Sequence, residues 1–325
     1  MTKKHFVLLT IILTGLFYVL FILFLPLGEQ AAQIGHRGLQ IIYAGLLSMS
    51  VSILLIFILV VFVKRGYIQG QMYTINRFKH LFFLMVKRDF ITRYRRSVLG
   101  VLWSLLNPIV TMLILTMVFS FIFRFQIEHF PVYFLSAQIL FAFFSESTNQ
   151  AMGSVIGNAA IIKKVYVPKY LFPVSKVTSA LVNLGFAFIG LLVIITVTDA
   201  PFHWTIILTP IPMFYTFIFA LGVGMFLSSV SVFFRDVPHL YGVFLTLLQF
   251  LTPIFYPVSM LPPRVFQLIH LNPLFHYVTF MRYLVLDGVI PGLWINVMCI
   301  GFALLALCIG LYTTLARQDR YILYL

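Results

Sequence analysis

Long apolar runs of bilayer length recur along this chain, and no other feature limits its fold as much. A bilayer core about 30 Å thick needs about 20 apolar residues of helix to cross it. Within lipid no water completes the backbone hydrogen bonds, so a spanning segment of this length must be a helix. Eight runs qualify: 6–26, 41–63, 99–123, 132–156, 170–197, 204–234, 240–260 and 293–314. Hydrophobic residues make up 62% of the chain and charged residues 9%, where a soluble domain has about 45–50% and about 25%. The expected fold class is therefore all-α, a polytopic membrane protein.

Charge orients the runs. With the N-terminus in the cytoplasm and the spans alternating, 18 of the 22 Lys and Arg fall inside, and only Arg37, Arg124, Arg264 and Arg282 fall outside. Such an excess is what the positive-inside bias produces. It also accounts for the net charge of +14 without nucleic acid as a partner. Lys3 and Lys4 ahead of an apolar run imitate a secretory signal, but the run is too long and no small-x-small cleavage site follows, so 6–26 is expected to remain as a span. The segment 262–291 carries Pro262, Pro263, Pro273 and Pro291, and it is expected to form two short helices dipping into the outer leaflet. Its rival, a further span beginning near Leu274, would put the C-terminus outside. Cys299 and Cys308 lie nine positions apart in one run, about 13 Å along a helix, too far for a disulfide.

The stretch "KRDFITRYRRSVLGVLWSLLNP" (87–108) packs five cations and one acid into its first ten residues and then turns apolar. It reads as a basic segment on the membrane surface leading into a span. Asp89 and Arg93, four apart, are spaced to pair on a helix surface. The chain has no GxxxxGK[ST] phosphate loop, no HExxH or Cys/His cluster for a metal, and no GxSxG nucleophile elbow. An ion-coupled transporter normally carries several charges inside the membrane; here Glu146, in "FFSESTNQ", is the one acid in the six later runs. A pore without an internal energy source points to an external ATPase. A membrane-embedded glycan- or lipid-modifying enzyme is the alternative, and an ion-coupled secondary transporter comes third.

Four stretches carry a resemblance. "LMVKRDFITRYRRSVLGVLWSLLNPIVTMLILTMVFS", "GNAAIIKKVYVPKYLFPVS", "FFRDVPHLYGVFLTLLQFLTPIFYPVSMLPP" and "LNPLFHYVTFMRYLVLDG" resemble, in order, segments of type-2 ABC permeases that export polysaccharides such as O-antigen, capsule and teichoic acid. The resemblance runs from about Phe78 to the C-terminus. The chain departs from the usual six-span permease in an N-terminal two-span extension over 1–70. The resemblance implies a cytoplasmic interfacial helix over 76–98 and a six-span core over 99–325 with a re-entrant outer hairpin at 262–291. It also implies a bacterial inner-membrane homodimer with both termini cytoplasmic, two copies of a separate subunit that binds ATP and Mg, and a lipid-linked glycan as substrate. No cofactor is expected in the chain itself.

The resemblance assigns ATPase coupling to Lys163, Lys164, Val165 and Pro168 in the first loop, where Ile161 and Ile162 are further apolar contacts, and to Arg235 and Asp236 in the second. The plainer alternatives are that the lysines set topology and that Arg235 with Asp236 is a local turn pair; docking is the favoured reading. Arg88, Arg93, Arg95 and Arg96 are candidates for substrate entry, because arginine grips phosphate through paired N–H donors; anchoring to anionic lipid is the plainer role. Channel or gate candidates are Trp103, Glu146, Phe250, Phe255, Tyr256, Phe266, Phe275 and Tyr277. The rings suit sugar C–H faces or a lipid-facing aromatic belt. Glu146 is costly in the bilayer without partners such as Asn149, and burial in the protein is favoured over lining the path. Gly153 and Gly157 form a small-xxx-small face expected to pack a helix.

Overall fold

The computed structural model of the protein describes residues 65–94, 100, 102–118, 127–165 and 167–325, and every element in them is helical. The expected spans 6–26 and 41–63, together with Arg95 and Arg96, lie outside the described residues. The first helix, α1 (Arg65–Tyr94), is 30 residues long. It begins well before the expected 76 and runs without interruption to 94, so no break separates an extension ending at 70 from an interfacial helix. No proline interrupts 65–94, and Gly66 and Gly70 each cost only about 1 kcal/mol in a helix interior.

Among the described residues, four segments are long and apolar enough to cross a membrane. They are α3 (Phe130–Met152), α6 (Leu171–Val197), the 3-10 turn at Trp204–Leu208 with α7 (Pro210–Phe233), and α11 (Leu293–Arg317). α2 (Leu102–Val118) has 17 residues. Two short helices, α4 (Ser154–Gly157) and α5 (Ala159–Lys164), follow α3.

The expected span 240–260 is not one helix. α8 (Val237–Leu251) stops after 15 residues, about 22 Å. Pro253 disfavours a helical Thr252, and Thr252 is extended, with φ −89 and ψ 125. The chain then turns through a 3-10 helix at Val258–Met260 into α9 (Pro263–Ile269) and α10 (Pro273–Val285). At 13 residues, about 20 Å, α10 is too short for the rival span. Asn272 caps it, accepting from the Leu274 N–H at 3.0 Å while donating to Thr252 Oγ1 at 2.8 Å, and so ties α10 to the end of α8.

The tightest helix pair is α7 with α11. A Cβ on Gly222 would collide with the backbone at Ala306 and Leu307, and one on Gly310 with the Gly222 carbonyl. Without a hydrophobic force between helices in lipid, such close approach through small residues is how they associate. Thr314 and Ser229 join the same pair by hydroxyls 2.9 Å apart. The glycines expected to pack, Gly153 and Gly157, meet nothing within 4 Å. Gly153 caps α3 instead.

Two apolar clusters result. The larger fills the bundle. The smaller lies at the end holding the basic loops and joins Met85 of α1, Ile162 of α5, Phe172 of α6, Val232 of α7 and Tyr321 of the terminal helix α12 (Tyr321–Tyr324).

Gly222→Ala should separate α7 from α11 and lower stability by about 1–3 kcal/mol, the usual range for overpacking. Gly153→Ala should change it by no more than about 0.5 kcal/mol. Thermal unfolding of the detergent-solubilised protein checks both, and equal melting shifts would contradict the assignment.

Candidate functional site

At the end of α1 the charged residues face the bundle. Asp89 is held by Lys176 of α6 at 2.9 Å and by its neighbour Arg88 at 3.1 Å. It does not pair with Arg93 as its spacing suggested. Arg93 instead forms an ion pair with Glu146 of α3. Glu146 Oε1 also accepts from Gln150 at 2.9 Å, one turn along the same face, and from Asn183 of α6 at 3.0 Å. Tyr94 donates to Asn183 Oδ1 at 2.7 Å. Asn149 takes no part, because its amide donates to the Ser145 carbonyl.

The pair is open. Arg93 is 32% exposed and Glu146 35%, and both line a cavity of about 420 Å³. Glu146 is thus partly buried among protein donors and also borders this cavity. Six helical residues short of Met152, about 9 Å from the end of α3, the carboxylate faces a space. Tyr94, Trp103, Asn107 and Asn183 add polar groups to the wall, while Ile139, Phe143 and Leu184 make an apolar one. Gly100 has φ 50, a backbone state natural to glycine, and Trp103, three residues on, lines the same cavity as Arg93. Arg88 is outside this group, held on Asp89.

The loop candidates divide. Lys163, Lys164 and Val165 are exposed, as are Arg235 and Asp236, and Ile161 is 41% exposed. Pro168 is buried, and Ile162 is 5% exposed and packed in the smaller cluster. Neither is available to a partner. The Ile162 side chain fastens the loop to Met85 and Phe172, and helical spacing over so short a segment did not reveal which face would turn inward.

The aromatic candidates do not form one gate. Tyr277 is fully buried and donates to the Cys299 carbonyl at 3.2 Å, and Phe275 is buried too; both belong to the core. Phe266 makes an edge contact with His270 at 4.5 Å. Phe250, Phe255 and Tyr256 do gather at the end of α8. Phe255 stacks on Phe134 at 5.7 Å, and Tyr256 donates to the Phe250 carbonyl at 2.5 Å. Beside them is Arg282, which charge alone had placed in an outer loop. Arg282 is buried with its guanidinium over the Tyr133 ring at 3.5 Å, donating to the Pro253 carbonyl at 2.8 Å. A lone Arg inside the apolar run "VTFMRYLV" was the available signal.

A family model described as "ABC-2 type transporter" matches residues 80–286. The chain belongs to the ABC-2 type transporter family. Among curated relatives, an "O-antigen export system permease protein RfbA" of Klebsiella pneumoniae is 27% identical over 260 residues, covering 77% of this chain and 98% of the relative. A protein of the same description from Myxococcus xanthus is 30% identical over 56% of this chain and 70% of its own length. "Polysialic acid transport protein KpsM" of Escherichia coli is 26% identical over 71% of this chain and 91% of its own.

An ABC-2 permease subunit is a multi-pass inner-membrane protein and not itself an enzyme; a separate ATP-binding subunit hydrolyses the nucleotide. The matched residues hold both the cavity and the loops.

Truncating Tyr277 to Ala should cost about 3–5 kcal/mol as a core aromatic loss. Phe250→Ala, at a side chain 64% exposed, should stay within about 0.5 kcal/mol. Membrane abundance and melting temperature measure this; a stable Tyr277→Ala protein would return that ring to the gate candidates.

Proposed function

We propose that this permease is the membrane half of an exporter that carries a polysaccharide, attached to a lipid carrier, outward across the inner membrane. The observation that carries this is the alignment with an O-antigen export permease over 98% of that protein's length. Support also comes from the cavity, whose polar and apolar walls suit a molecule with a charged head and a lipid tail.

Two copies of the chain work as a homodimer with two ATP-binding subunits, which hold ATP and Mg. The partner surface is the exposed basic end: Lys163, Lys164 and Val165 in one loop and Arg235 with Asp236 in the other. That end faces the cytoplasm because it gathers the basic loops, and both termini lie on that side. Arg93, with Arg95 and Arg96 following it in sequence, forms the entry for the substrate's phosphates, while Arg88 is engaged by Asp89. Phe250, Phe255 and Tyr256, at the far end of α8, lie toward the outer exit.

Co-purification with the cognate ATP-binding subunit is the first test, since failure to associate would favour a stand-alone enzyme or secondary transporter. Lys163→Glu with Lys164→Glu should abolish export at unchanged membrane abundance, and surviving export would reduce these lysines to topology signals. For orientation, in a background without Cys299 and Cys308, cysteine at Gln267 should react with an impermeant thiol reagent in intact cells and cysteine at Gln318 should not. The reverse labelling would overturn the topology.

A further inference from the structure

In the cavity a cluster of N–H donors is occupied by one of the protein's own carboxylates. Three donors from three helices converge on one oxygen of Glu146: the guanidinium of Arg93 on α1, the amide of Gln150 on α3 and the amide of Asn183 on α6. Convergent N–H donors aimed at one point are how proteins hold phosphate as well as carboxylate. The pair is not sealed, as each side chain is about one-third exposed to the cavity. An ion pair this open contributes little stability, so a competing anion exchanges with it at small cost. Room for the exchange exists, because the cavity of about 420 Å³ lies against both residues. Its remaining wall joins amides of Asn107 and Asn183, the Trp103 ring and aliphatic side chains, which suit a headgroup with a hydrocarbon chain behind it.

We infer that a phosphate-bearing lipid headgroup binds in this cavity by displacing Glu146 from Arg93, so that Glu146 is a resident competitor for the entry site. The inference rests on the exporter reading above but assigns a role to Glu146 that transport alone does not require. No bond is made or broken; the phosphate takes the donors, and the freed carboxylate turns to the open part of the cavity. Exchange would also release the end of α1 from α3, since Arg93 is the ion pair linking them.

Trp103 on the cavity wall reports occupancy without reference to transport. The complex of permease and ATP-binding subunit, carrying Trp204→Phe and Trp294→Phe, is placed in phosphatidylcholine vesicles. Polyprenyl diphosphate, polyprenol or phosphatidylglycerol is then titrated while Trp103 emission is followed. Polyprenyl diphosphate should shift the emission and polyprenol should not. Glu146→Gln should tighten the apparent Kd roughly two- to fivefold, within the range an ion pair of this exposure spans. Arg93→Lys, which keeps a partner for Glu146 but loses the paired donors, should weaken it by at least as much. A response to the diphosphate alone assigns the site to a carrier lipid, and an equal response to phosphatidylglycerol assigns the same phosphate chemistry to bulk lipid. Absence of any shift, or unchanged affinity in Glu146→Gln at normal membrane abundance, overturns the inference. Export measured in cells with the same variants separates the two levels. Continued export without a Trp103 response rejects this site and leaves the exporter standing, whereas loss of association with the ATP-binding subunit rejects the exporter itself.

Discussion

A carboxylate at the depth of Glu146 cannot be left to lipid, and much of the arrangement at the basic end follows from that. An ionised side chain inside a bilayer costs several kcal/mol unless it is paired or wet. Glu146 is both: it takes donors from α1, α3 and α6, and it opens on a cavity. The need for a cation draws the end of α1 against α3. The need for amide donors draws Asn183 of α6 to the same point, and Tyr94 then locks onto Asn183. Asp89 with Lys176 repeats the device one turn earlier on α1. Four charges that could each have faced water therefore form two cross-links between a surface helix and the bundle.

Those cross-links fix the end of α1 against α3 and α6. Met85 is packed with Ile162 and Phe172 in the smaller apolar cluster, and Arg93 stands eight residues further on, about 12 Å along a continuous helix. The cluster also takes in Val232 and Tyr321, so the first loop, the end of α7 and the C-terminus share one packed unit. Close-packed side chains transmit displacement because they have few voids to absorb it. Ile162 of α5 therefore shares packing with the helix that carries Arg93, and the exposed Lys163 and Lys164 lie next to it in sequence.

The parts legible in the sequence were those set by composition or by proline. Apolar length located the four long segments of the bundle but not the break within 240–260, and Pro262, Pro263 and Pro273 marked the two short helices, because a proline constrains its own backbone whatever surrounds it. Pairings were not legible. Asp89 and Arg93 have the spacing of a local pair, yet each found a stronger partner on another helix, 87 and 53 positions away. Gly153 and Gly157 have the spacing of a packing motif, yet the glycines that do allow close approach are Gly222 and Gly310 on different helices. Tyr277 and Phe250 are chemically alike as gate candidates; only the tertiary fold buries the first and exposes the second. Glu146 was found because an acid in an apolar run is rare, but its place on a cavity wall required α1, whose long reach the sequence did not announce.

The two ends of the bundle hold their cations in opposite ways. Arg282 has backbone carbonyls and the face of Tyr133 as partners, and these are neutral groups fixed in the fold. An incoming anion cannot displace a carbonyl that the backbone holds in place, and reaching Arg282 would mean opening a site that is buried. The cross-link at Arg282 ties the start of α3, the turn after α8 and the body of α10 into one piece beside Phe255 and Tyr256. Arg93 is held instead by a side-chain carboxylate that can rotate, in a space open enough for a competitor. The same residue type therefore makes a permanent staple at one end and an exchangeable link at the other, and the difference lies in whether its partner belongs to the backbone or to a side chain.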